Sequence, residues 1–116
     1  VAADAAATYA DNASYYVGRS YYEDGQLALA ATAFAQFETA YPGSSYLDNG
    51  AYYQGRAFFD QGQFANAIPH FQDVLAIDAT GTYGDNAQYY IARSQYGDAQ
   101  LTPALASFEL VVVDIQ

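Results

Sequence analysis

Apolar residues recur along this chain at helical spacing, and the whole pattern then repeats. Leu27, Ala30, Phe34 and Phe37 fall at i, i+3, i+7 and i+10, which is one face of an α-helix and not the alternation of a strand. The corresponding places hold Phe64, Ala67, Phe71 and Val74, then Leu101, Ala104, Phe108 and Val111. A second pattern precedes each stripe: DNASYYVGRSYYEDGQ at Asp11 to Gln26, DNGAYYQGRAFFDQGQ at Asp48 to Gln63, and DNAQYYIARSQYGDAQ at Asp85 to Gln100. Both intervals are 37 residues. A fixed period in this range marks stacked units, none of which can bury its apolar face alone.

Each unit predicts two helices joined by a Gly-containing turn. Asp11 is a candidate N-cap for a first helix that runs to about Tyr22, where Asp24-Gly25 stops it. The second helix spans about Leu27 to Ala40 and ends at Pro42-Gly43. Pro69, several residues into the equivalent helix of the next unit, removes one backbone hydrogen bond and predicts a late start or a mild kink. Pro103 suits a first helical turn, with Thr102 as its cap. The β-branched stretch Phe108 to Ile115 could read as a strand, but it lies in register with two clear helices. The chain is therefore expected to be one repeat domain, 1–116, divided as 11–47, 48–84 and 85–116. Residues 1–10 are the tail of a preceding repeat phase, because VAADAAATYADN at Val1 to Asn12 lines up with LAIDATGTYGDN at Leu75 to Asn86.

The first helix of each unit carries the chemistry. Ala13, Tyr16, Val17, Ser20 and Tyr21 share one arc, and Asn12, Tyr15, Arg19, Tyr22 and Glu23 the adjacent one. Each tyrosine doublet is thus split, one ring packing inside and the other lining a surface. Small residues at Gly18, Gly55 and Ala92 leave room for a neighbouring helix to come close.

These residues resemble the tetratricopeptide repeat family. Gly18, Tyr21, Gly25, Leu27, Ala30, Phe34 and Pro42 match in the first unit, Gly55, Phe58, Gly62, Phe64, Ala67 and Phe71 in the second, and Leu101, Ala104 and Phe108 in the third. Ala92 and Ala99 stand where Gly is usual, and Ser14, Ala51 and Gln88 replace the usual bulky aromatic. The resemblance implies an all-α, right-handed α-solenoid of three helix-turn-helix repeats, with a concave groove lined by the first helices. In its long period and paired tyrosines the chain is similar to repeats of bacterial envelope proteins, such as the periplasmic Tol-Pal accessory protein and outer-membrane assembly lipoproteins. That implies a periplasmic or extracellular location.

Charge narrows the partners. Thirteen acids against three arginines and no lysine give a net charge of −10, so nucleic acid, which needs a basic stripe, is a poor partner. No apolar run is long enough to span a bilayer, and there is no cysteine for disulfides or thiolate metal sites. With neither an initiator Met nor a signal-peptide pattern, a processed or trimmed chain is expected. His70 is the one histidine and is expected in helix packing or at the surface, while the acids are scattered singly. DATGTYGD at Asp78 to Asp85 lacks the alternation of a calcium loop, and the sequon Asn12-Ala13-Ser14 recurs in no other repeat. No phosphate loop or nucleophile elbow occurs. A non-enzymatic protein without a cofactor is expected.

All three basic residues, Arg19, Arg56 and Arg93, hold the same place in successive units. Stacking would set them in a ladder with Asn12, Asn49 and Asn86, with Tyr15, Tyr52 and Tyr89, and with Tyr22, Phe59 and Tyr96. By the family resemblance this ladder faces the ligand, a protein segment, with a glycan as the alternative occupant. In the competing reading, each Arg merely pairs with Glu23, Asp60 or a neighbouring acid. The two tips offer a further expectation: Val1, Val111, Val112 and Ile115 form apolar ends in matching repeat phase. Trimmed neighbouring repeats, a covering partner, or copies stacking head to tail into an extracellular filament would each account for them.

Overall fold

In the computed structural model, which describes residues 9–114, six helices follow one another and no strand occurs among the described residues. They are α1 (Ala10–Glu23), α2 (Leu27–Ala40), α3 (Leu47–Asp60), α4 (Phe64–Asp78), α5 (Gly84–Gly97) and α6 (Leu101–Asp114). Every helix packs on the next, and α1 also reaches α3, so the pairs stack in chain order into a body of 55 × 29 × 20 Å. The all-α repeat fold expected from the period is the fold observed.

The core forms where units meet. Tyr15, Ala30, Phe34 and Phe37 of the first pair close on Ala57 of α3; Tyr52, Ala67, Phe71 and Val74 close on Ala87 and Ile91 of α5. The expected stripes of α2 and α4 are thus the buried ones. Close approach needs the small residues: a Cβ on Gly18 would lie 2.5 Å from the Phe34 ring, and one on Gly55 2.7 Å from the Phe71 ring.

Each hairpin turn is set by one left-handed residue. Gly25 (φ 77°) and Gly62 (φ 76°) let the N–H groups of Gln26 and Gln63 reach back to the carbonyls of Tyr21 and Phe58, both at 2.9 Å. In the third unit Ala99 takes the same conformation at φ 59°, and Gln100 N–H donates to the Gln95 carbonyl. A Cβ in this region is strained, so the third turn is held at some cost by its surroundings.

Several local expectations are corrected. No side chain caps α1: the helix starts at Ala10, and the Asp11 carboxylate instead accepts from Ser44 Oγ at 2.8 Å, tying α1 to the loop before α3. Thr102 lies inside α6, which begins at Leu101 with the Gln100 carbonyl accepting from Ala104, although Pro103 does sit in the first turn. The late start at Pro69 does not occur. The Gly62 turn and the buried Ala67 hold α4 open from Phe64, and the Ala65 carbonyl deprived of its partner is on an exposed residue. Phe108 to Asp114 is helix, not strand. Residues 1–8, and with them Val1, lie outside the described residues, as do Ile115 and Gln116.

Candidate functional site

Arg19, Arg56 and Arg93 stand at equivalent points of α1, α3 and α5, but the first two are already engaged. Arg19 donates from Nη1 to the Tyr15 hydroxyl and from Nη2 to Glu23 Oε1, both at 3.0 Å, and its guanidinium lies 4.0 Å from the centroid of the Tyr53 ring in the next repeat. Arg56 repeats this: Nη1 donates to the Tyr52 hydroxyl at 3.1 Å, Nε is 3.9 Å from Asp60 Oδ1, and the guanidinium sits 4.4 Å from the centroid of Tyr90. The pairing reading of the arginines is what these two do.

The rings around each arginine form a slot for one tyrosine of the following repeat. Tyr53 lies 5.4 Å from Tyr22 and 6.4 Å from Phe34; Tyr90 lies 5.1 Å from Phe59 and 5.5 Å from Phe71. A tyrosine just before the next first helix seals the slot. Tyr46 stacks on Tyr15 at 5.4 Å, its hydroxyl accepting from the Asn12 amide at 2.9 Å, and Tyr83 stacks on Tyr52 at 4.6 Å. Across the first junction the Tyr22 hydroxyl also donates to Asp60 Oδ2 at 2.7 Å.

Burial accounts for the electrostatics. Desolvation pushes the Tyr15 and Tyr52 phenols above their ordinary value, with Arg19 and Arg56 partly offsetting it. Desolvation also raises Tyr22, and donation to Asp60 adds to the effect. For Arg19 burial disfavours charge, but the hydrogen bonds with Tyr15 and Glu23 outweigh it and hold the guanidinium above its usual range. These groups are phenol and guanidinium locked in the forms they already prefer at neutral pH, with no proton poised for transfer.

The third slot differs. Tyr89, Arg93, Tyr96 and Phe108, bordered by Phe59, Phe64 and Gly97, surround an open cavity of about 420 Å³ that no described residue fills. Gly97 stands where Glu23 and Asp60 stand in the other repeats. Arg93 accordingly makes no hydrogen bond or ion pair among the described residues, and its nearest ring, Phe59, is 5.0 Å away. Tyr89 is 40% exposed, against 1% for Tyr15 and 4% for Tyr52.

The expected ladder is thus redistributed. Tyr15 and Tyr52 are core rings and not surface ones; in each of these doublets it is the second tyrosine that reaches the preceding repeat or solvent. Asn12 and Asn49 are half-buried, and Asn86 is exposed. Tyr22 and Phe59 close the two filled slots, and Tyr96 stands open at the third. Val111 is half-buried and Val112 exposed on α6. The residues missed were Tyr53, Tyr90 and Phe108. For the tyrosines a signal was present: the second tyrosine of the doublet occurs in all three units, and Tyr9, Tyr46 and Tyr83 recur at the same period of 37. His70 is half-buried and stacked on Phe58 at 5.2 Å, with its pKa lowered by burial, a packing role. Among the described residues no group of three or more metal-ligating side chains comes together.

The model of the tetratricopeptide repeat matches residues 12–44 and 51–78, more than half of the chain. The chain belongs to the tetratricopeptide repeat family. Such repeats generally serve as scaffolds for protein–protein interaction, not as catalysts. Two solved structures similar to this tetratricopeptide repeat protein are those of the nearly identical TPR-like repeats of a Podosopora anserina protein assigned as a kinesin light chain. The parent form has a TM-score of 0.68 at 19% identity, covering 89% of this chain and 54% of that one. A variant of it has a TM-score of 0.69 at 18% identity, covering 89% and 53%. At this identity the likeness is one of fold, and the chain spans about half the length of those structures. No curated protein sequence matches it.

Proposed function

We propose that this tetratricopeptide repeat protein is a non-enzymatic protein-interaction scaffold whose docking point is the open slot at Arg93. One observation carries this reading: a slot of the same make-up holds a tyrosine ring twice within the chain, and the third is open. The ligand class is an aromatic side chain presented by a partner protein segment. The Asn/Tyr/Arg surface expected along all first helices narrows to Asn86, Tyr89, Arg93 and Tyr96, since Arg19 and Arg56 are occupied. A cation–π contact contributes about 0.5–1 kcal/mol when exposed and about 2 when desolvated, so a lone ring binds weakly and a whole segment is needed for affinity.

NMR titration with N-acetyl-tyrosinamide tests it. Resonances of Tyr89, Arg93, Tyr96 and Phe108 should shift and saturate, and Arg93→Ala should abolish the effect. Absence of any shift, or shifts unaffected by Arg93→Ala, would overturn the slot as a docking point. Competition by a neutral oligosaccharide in place of the aromatic probe would transfer the site to a glycan. The Lys-free, acid-rich composition and long period support a periplasmic or extracellular setting, to be checked by antibody labelling of unpermeabilised cells.

A further inference from the structure

Resting on the docking point just described, we infer that the occupant is the α1 face of a second copy of this chain, so that copies stack head to tail. The rings that fill the two internal slots are Tyr53 and Tyr90, and their equivalent in the first repeat is Tyr16. The rings that seal those slots are Tyr46 and Tyr83, and their equivalent is Tyr9. Tyr9 and Tyr16 are 67% and 52% exposed. Among the described residues the chain therefore carries one open slot at its α5–α6 end and one exposed pair of rings at α1, each shaped like the halves of its own internal junctions.

The neighbouring positions agree. Val17 is exposed on α1, whereas the equivalent Gln54 and Ile91 are buried against the preceding repeat. Stacked in the internal register, Arg93 would lie over Tyr16 of the second copy, and Tyr89 would stack on Tyr9 of the second copy. The Tyr96 hydroxyl could donate to Glu23 of the second copy, as Tyr22 does to Asp60. Asn86 would donate to the hydroxyl of that Tyr9, as Asn12 does to Tyr46. Different surfaces meet at such a contact, so it does not close a two-fold dimer. Repeated, it makes a ring or, where the rotation does not close, an open helical filament. The net charge of −10 on each copy opposes approach, and salt screens it, so assembly strengthens with ionic strength.

Sedimentation velocity and electron microscopy of the chain at rising concentration and salt test this. The unaltered chain should form linear assemblies. Tyr16→Ala and Arg93→Ala, both at exposed positions, should each keep the helical circular dichroism of the parent and weaken assembly by about thirtyfold. Mixed together, the two variants should form a discrete dimer and nothing longer, because one keeps an intact slot and the other intact rings. A chain that stays monomeric at high concentration and salt while its slot still responds to N-acetyl-tyrosinamide overturns the stacking and leaves the docking point standing. Assembly that survives in both variants places the contact elsewhere and overturns it too.

Discussion

The first two arginine slots and the third are built from nearly the same residues and are in opposite states. In the filled slots the guanidinium is sandwiched between a buried tyrosine hydroxyl and a ring of the next repeat, with an acid four residues on to balance it. In the open one Gly97 replaces the acid, the hydroxyl-bearing ring Tyr89 is half in solvent, and the cavity is unfilled by any described residue. The same motif is therefore filled where a repeat follows it within the described chain and open where none does.

Four measurements would break or sharpen that comparison. The largest effect should come from alkaline pH, which acts on the filled slots together. The phenols of Tyr15, Tyr22, Tyr52 and Tyr83 are raised above 10 by burial, so the fold holds these protons more tightly than the unfolded chain does. Stability is then full below pH 10 and falls as pH rises above it. Tyrosinate absorbance should show the phenols of Tyr15, Tyr22, Tyr52 and Tyr83 ionising only as helicity is lost. Early ionisation of all thirteen tyrosines in one step would contradict the packing.

Next in size is removal of a filling ring. Tyr90→Ala should cost about 3 kcal/mol in urea denaturation, the range for an emptied aromatic site, while Tyr16→Ala, its exposed equivalent, should stay within about 0.5 kcal/mol. Equal losses would mean that the slots are not distinct. Gly55→Ala should cost about 2 kcal/mol by forcing a Cβ into the Phe71 ring, an overpacking effect that a shift in thermal midpoint would register. The smallest effect has the opposite sign. Ala99→Gly should stabilise by about 1 kcal/mol, because glycine takes the left-handed turn without strain. No gain would show the third turn to be relaxed by its own context.

Much of the fold was legible in the chain because its signals are local. The apolar stripe of Leu27, Ala30, Phe34 and Phe37 and the turn at Gly25 depend on residues three to five apart, and the period of 37 multiplied each signal by three. Local signals failed where a longer-range packing contact outweighed them. Asp11 was drawn from the cap position to Ser44, and Pro69 was carried inside a helix whose start was fixed elsewhere. The candidate site was half legible: the arginine register and its ring neighbours were visible, but their division into filled and open slots was not.

What the sequence determined alone, then, was the helix pairs, their number and the recurrence of one Arg-and-Tyr motif, since periodicity within a helix and repetition along a chain are both properties of neighbouring residues. Which ring of each doublet lies inside was decided by the tertiary structure. Adjacent helical positions both border the junction, and only the angle at which the next repeat docks chooses between them; that choice buried Tyr15 and Tyr52, filled two slots with Tyr53 and Tyr90, and left Arg93 facing an empty third.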